Sequence, residues 1–145
     1  MKKLVALLAA GAVCALALAA LSTAAAPATV WETTLTPKAE VPPQVVKNTK
    51  ASGTFKGTLK GSTLTWTLTF TGLTGPATAA HIHMGAATAS GNVVVPLCAP
   101  CKSPVKGTAK ISGSLKSAFA KHDLYVNVHT TKNPNGEIRG QLTGM

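Results

Sequence analysis

The run Ser62–Thr71, STLTWTLTFT, constrains the fold more than any other stretch of the chain. Leu64, Trp66, Leu68 and Phe70 hold one parity, and Thr63, Thr65, Thr67, Thr69 and Thr71 hold the other. A period of two sustained over that length puts an apolar row on one side of an extended strand and a hydroxyl row on the other. Threonine and aromatic residues also favour a pleated sheet over a helix. Just upstream, Thr54, Lys56, Thr58 and Lys60 alternate with Phe55, Gly57 and Leu59, and Gly61-Ser62 supplies a tight turn. The two runs are therefore expected to form a hairpin with Trp66 as its core anchor.

The rest of the chain repeats this grammar in shorter pieces. Thr29–Leu35 is a β-branched run around Trp31. Glu40-Val41-Pro42-Pro43 cannot continue a central strand, because two prolines remove two amide donors, and it reads as a loop or edge. His81–Met84, Asn92–Leu97 and Val105–Gly113 read as strands, with Met84 sharing the parity of Ile82 and so expected in the core. Leu115–His122 reads as one helical turn or a loop. A last hairpin spans Asp123–Leu142, where Leu124, Val126 and Val128 alternate with Tyr125, Asn127 and His129, and Pro134 and Asn135-Gly136 mark the turn. Short strands, regular turns and no sustained helical period predict an all-β antiparallel sandwich with Greek-key connections. The segments KGTLKGSTL at Lys56–Leu64 and KGTAKISGSL at Lys106–Leu115 are alike, though too short to be read as a repeat.

Met1–Ala26 reads as a secretory leader of bacterial type. Lys2 and Lys3 precede an uncharged apolar stretch, Leu4–Leu21, and small residues around Ala24 and Ala26 offer cleavage sites. The apolar stretch is also long enough to be weighed as an uncleaved anchor. Removal of the leader leaves residues 27–145 as one domain with no membrane span, in the periplasm or outside the cell. The formal net charge is +10, and Glu32, Glu40, Asp123 and Glu137 are the only acids. Such a balance suits an anionic partner or surface, while interleaved aromatics that would indicate specific nucleic-acid binding are missing.

The ordered pieces AEVPPQV at Ala39–Val45, AHIHMG at Ala80–Gly85, GNVVVPL at Gly91–Leu97, LYVNVHT at Leu124–Thr130 and GEIRGQL at Gly136–Leu142 resemble the CHRD domain, the module named after chordin. The resemblance spans nearly all of the chain beyond the leader. It implies an all-β extracellular module with a structural or interaction role, and it implies no settled activity.

The residues that carry chemistry are few. His81 and His83 lie two apart and share a face of their strand, and His129 leaves the last hairpin on the side opposite its valines. Three imidazoles on strands suit copper or zinc, with copper the first guess. The alternative reading is a buried polar network in which the histidines hydrogen-bond one another, Glu137 and backbone groups, with Asn127 and Arg139 part of it. Glu137 fits as a ligand, as an acceptor behind a ligand, or as the partner of Arg139, because both are expected on one polar side of the hairpin. His122 is a weaker addition. A His-x-His strand in a β-sandwich is similar to the copper–zinc superoxide dismutases, but those enzymes need more histidines and a zinc-binding aspartate. This chain has four histidines, and Asp123 is its single aspartate, so dismutase activity is not expected. Cys98 and Cys101, in an exported chain, are expected to form a local disulfide. No nucleophile–base–acid set and no phosphate loop stands out. Two functions remain: a secreted structural or interaction module, and a periplasmic protein binding copper or zinc through His81, His83 and His129.

Overall fold

A computed structural model describes residues 27–44 and 50–144. The leader expected over 1–26 lies outside the described residues. The elements in order are β1 (Thr29–Leu35), a 3-10 turn (Pro37–Ala39), β2 (Ser52–Lys60), β3 (Thr63–Thr71), β4 (Ala77–Met84), β5 (Val93–Cys98), β6 (Val105–Lys110), α1 (Gly113–Ala120), β7 (Leu124–Thr130), β8 (Ile138–Gln141) and β9 (Thr143–Gly144). They form two antiparallel sheets, a five-stranded one in the order β6-β3-β2-β1-β9 and a four-stranded one in the order β5-β4-β7-β8. The expected all-β sandwich is what the chain forms.

The period-two rows face inward as read. Leu64, Trp66 and Leu68 of β3 meet Phe55 of β2 and Trp31 and Leu35 of β1 on one side of the core. Ile82, Leu124, Val126, Val128 and Ile138 supply the other. Trp66 stands in register with Gly57 on β2 and Gly107 on β6. A Cβ at Gly107 would overlap the indole of Trp66. The two similar K-G-T segments thus place their glycines on either side of one tryptophan; at Gly107 a bare backbone leaves room for the indole, and at Gly57 for the ring of Phe55.

Two expectations are corrected. The 115–122 stretch is a full α-helix over Gly113–Ala120, longer than the single turn or loop expected. Ser112 caps it by accepting from the Leu115 N–H at 3.3 Å. Its buried residues Leu115, Ala118 and Phe119 recur at i, i+3 and i+4, and Phe119 packs 5.2 Å from the ring of Trp31. The strand before it accordingly ends at Lys110. Met84, expected beside Ile82 in the core, is 41 % exposed. Met84 keeps the parity of Ile82, standing opposite Leu124 on β7, but it is the last residue of its strand, where the core cover ends.

The outer face of the four-stranded sheet is not left to solvent. Tyr125, Asn127 and Arg139 project from it and are buried nonetheless. Two segments roof it: the β4–β5 loop, whose Ala86 and Ala89 carbonyls accept from Arg139, and the stretch after β1, whose Glu40 accepts from Asn127.

Candidate metal centre

His81 and His83 come from β4 and His129 from β7, and the two strands pair directly. The register sets His81 opposite Asn127 and Ala79 opposite His129, so His81 and His129 are diagonal neighbours on the same face. The ring centroids stand 5.1 Å apart for His81 and His129, 5.5 Å for His81 and His83, and 5.8 Å for His83 and His129. One nitrogen from each ring lies within 4.8 Å of the other two. The parity argument from sequence therefore brings together the three residues it named.

Hydrogen bonding fixes which nitrogens are free. His83 Nδ1 is 3.0 Å from the Gly91 carbonyl, and His129 Nδ1 is 3.0 Å from the Pro134 carbonyl. A carbonyl only accepts, so both rings carry their proton on Nδ1 and turn an Nε2 lone pair inward. Backbone carbonyls that hold the outer ring N–H in this way are the usual support behind metal-bound histidine. His81 Nδ1 lies 3.2 Å from His129 Nε2. With that lone pair as acceptor, His81 is the donor in the metal-free protein. Two nitrogens bound at tetrahedral zinc lie about 3.3 Å apart, so this pair already has ligand spacing. His83 Nε2 is buried and has no hydrogen-bond partner.

Burial keeps all three rings neutral. It pushes the His129 pKa down to about 4, against the carbonyl bond from Pro134, with smaller contributions from His81 and His83. It lowers His81 too, helped by the neighbouring His83. His83 is likewise lowered by burial, with the nearby Arg139 adding to the effect. Neutral imidazole is the metal-binding form.

A second layer holds the first. Tyr125 stacks on His83 with centroids 4.9 Å apart and planes 8° from parallel. Its hydroxyl accepts the Gly91 N–H at 3.1 Å, and the Gly91 carbonyl in turn holds His83. The Arg139 guanidinium sits 3.5 Å over the Tyr125 ring, and its Nη2 donates to Ala86 and Ala89 at 2.9 Å each. Gly91 also has to be glycine, since a Cβ there would fall on the Met84 carbonyl.

The carboxylate of this layer is Glu40, from the proline-rich stretch whose sequence predicts only a loop or edge. Asn127 Nδ2 donates to both of its oxygens at 3.0 Å. Burial raises its pKa to about 7, against the opposing pulls of Asn127 and Arg139. Glu137, expected beside Arg139 and the histidines, is elsewhere. Its carboxylate accepts from Thr74 N and Oγ1, Thr130 Oγ1 and Asn133 Nδ2 at 2.6–2.9 Å. The reason is local. Val128 is already opposite Ile138, and the Glu137 N–H also donates to the Val128 carbonyl, so two residues stand against one and the alternation breaks. The expected Asn127–Glu137–Arg139 network is thus two networks. His122 also stands apart, exposed at the end of α1 with its ring 5.6 Å from Trp31. Cys98 and Cys101 are joined in a disulfide, at the end of β5.

Fold and site together define a disulfide-bearing antiparallel β-sandwich module with a histidine triad on the roofed face of one sheet. The chain belongs to the CHRD domain family, whose model matches residues 31–142. No curated protein and no solved structure matches it.

Proposed function

We propose that this chain is an exported CHRD module that binds one transition-metal ion, copper or zinc, through His81, His83 and His129. The observation that carries the reading is the tautomer arrangement: two rings fixed by carbonyls with their Nε2 atoms inward, beside a third ring at ligand spacing. Copper and zinc are among the metals that imidazole suits, and three protein ligands leave a coordination position open. A purely hydrogen-bonded network accounts less well for the same residues. It accounts for the His81–His129 bond and the two backbone carbonyl bonds, but it leaves His83 Nε2 buried without a partner, and Glu137 is engaged with Thr74, Thr130 and Asn133. Metal binding exchanges one weak N–H···N bond for three metal–nitrogen bonds.

Export rests on the leader composition over residues 1–26 and on the disulfide, which fits an oxidising compartment. Among the described residues no helix is long and apolar enough to cross a membrane. A structural or interaction role, as the family implies, is compatible with a bound metal, since the triad lies on one sheet and leaves the other free.

The test is titration of the purified protein with Cu(I), Cu(II) and Zn(II), alongside H81A and H129A. The expected result is one ion bound with micromolar or tighter affinity, lost in both variants, with metal-free melting temperatures close to the parent. Binding no tighter than millimolar, together with variants destabilised by roughly 1–3 kcal/mol, would instead identify a structural network.

A further inference from the structure

The two K-G-T-x-K segments flank β3, and their glycines are accounted for by the aromatic rings packed against them, Phe55 and Trp66; their lysines and threonines are not. Lys56 and Lys106 stand opposite Thr67 from either side, and Lys60 and Lys110 stand opposite Thr63. All of these side chains point away from the core. Between the two rows lie Thr58, Thr65 and Thr108, themselves in register. The lysines therefore mark the corners of a rectangle about 9.5 Å across the strands and about 13 Å along them. Its floor is threonine hydroxyl. Glu32 pairs with Lys56 at 2.6 Å and is the one acid on this face. Lys110 donates to Thr63 at 2.9 Å.

Solvation accounts for lysines on an exposed face and edge protection for those on β6, but neither accounts for their placement in two facing rows across one threonine strand. We infer that this face docks a linear acidic polysaccharide, with lysines meeting carboxylates and threonines meeting sugar hydroxyls. Charge complementarity selects a polyanion. The absence of aromatic side chains from the rectangle disfavours single-stranded nucleic acid, which is held by stacking. The absence of large apolar ones disfavours a membrane surface, into which such side chains insert. Hydroxyls that donate and accept suit a polyol backbone.

The experiment measures binding of the purified protein to alginate, with duplex DNA and anionic phosphatidylserine vesicles as competing probes. Lys60, Lys106 and Lys110 are replaced by glutamine in one variant. Lys116, Lys121 and Lys132, outside this sheet, are replaced in a charge-matched control. The expected result is alginate binding that weakens with salt, falls about tenfold or more in the first variant, and falls much less in the second. Equal loss in the two variants would reduce the effect to net charge and overturn the inference. So would failure to bind alginate, or tighter binding to DNA or vesicles than to alginate. Circular dichroism and melting of both variants check that folding is unchanged.

Discussion

At the scale of single residues, the environment of each titratable group fixes its pH behaviour. His129 is held down to about 4, and His81 and His83 are lowered with it, all chiefly by burial. The sequence alone suggests that metal affinity fades as pH falls through the ordinary histidine value of about 6.5. The folded site moves that loss downward. Affinity for Zn(II), followed by equilibrium dialysis, is expected to fall at a pH below about 6.5, because all three rings are lowered, with His129 the last of them to take a proton. A fall centred at 6.5 would mean that the rings are solvated as in a peptide. Glu40 has the opposite sign. Its folded pKa is raised from 4.5 to about 7, so its contribution to stability is present below 4.5 and lost as pH rises through about 7. E40Q, which resembles the protonated acid, is expected to melt higher than the parent above pH 7 and no higher near pH 4. Equal melting at alkaline pH would show that Glu40 ionises without cost. The histidine triad was legible from parity because strand alternation is a local rule. Glu40 was not, because its partner Asn127 is 87 residues away and only the path of the chain brings them together.

At the scale of elements, the β4–β5 loop and the β7–β8 turn are the parts that shape the site. Gly91 links Tyr125 to His83 and lies against the Met84 carbonyl. G91A is expected to destabilise by about 2 kcal/mol or more and to weaken metal binding, because the loop must move off the strand. A melting temperature and affinity equal to the parent's would remove the loop from the site. Y125F keeps the ring on His83 but loses the acceptor for the Gly91 N–H, so it is expected to weaken binding less than G91A does. The disulfide closes a loop of only two intervening residues, Ala99 and Pro100. Its removal is expected to cost at most about 2 kcal/mol, with the fold retained, as circular dichroism under reductant will show. Unfolding by mild reductant would contradict that. The strands were legible where alternation is unbroken, in β3 and β7. They were misread at strand ends: Met84 keeps its parity but lies where the core cover ends, and at Glu137 a second residue bonds the carbonyl of Val128, which leaves no mark in the hydrophobic pattern. The helix was underestimated because Ser112 and the Leu115/Ala118/Phe119 stripe are short signals beside a Lys/Thr strand.

At the scale of the whole molecule, the sandwich separates two polar faces that the sequence interleaves. The four-stranded sheet carries the histidines under a roof of loops, and the five-stranded sheet carries an open frame of lysine and threonine. The lysine frame leaves no cluster in the sequence, because K-G-T segments 50 positions apart become neighbours of one strand only through the β6-β3-β2 order. The same order explains why the core could be listed from sequence while the roof could not. Inward rows follow from each strand alone, whereas the roof depends on segments returning from other parts of the chain. The most direct measurement of the central claim is X-ray absorption at the metal edge of the loaded protein, which counts the imidazoles around the ion. Binding through the triad predicts three imidazole nitrogens at about 2.0–2.1 Å for zinc, with one replaced by a lighter, non-imidazole ligand in H129A. A shell of oxygen ligands, or one unchanged in H129A, would contradict it.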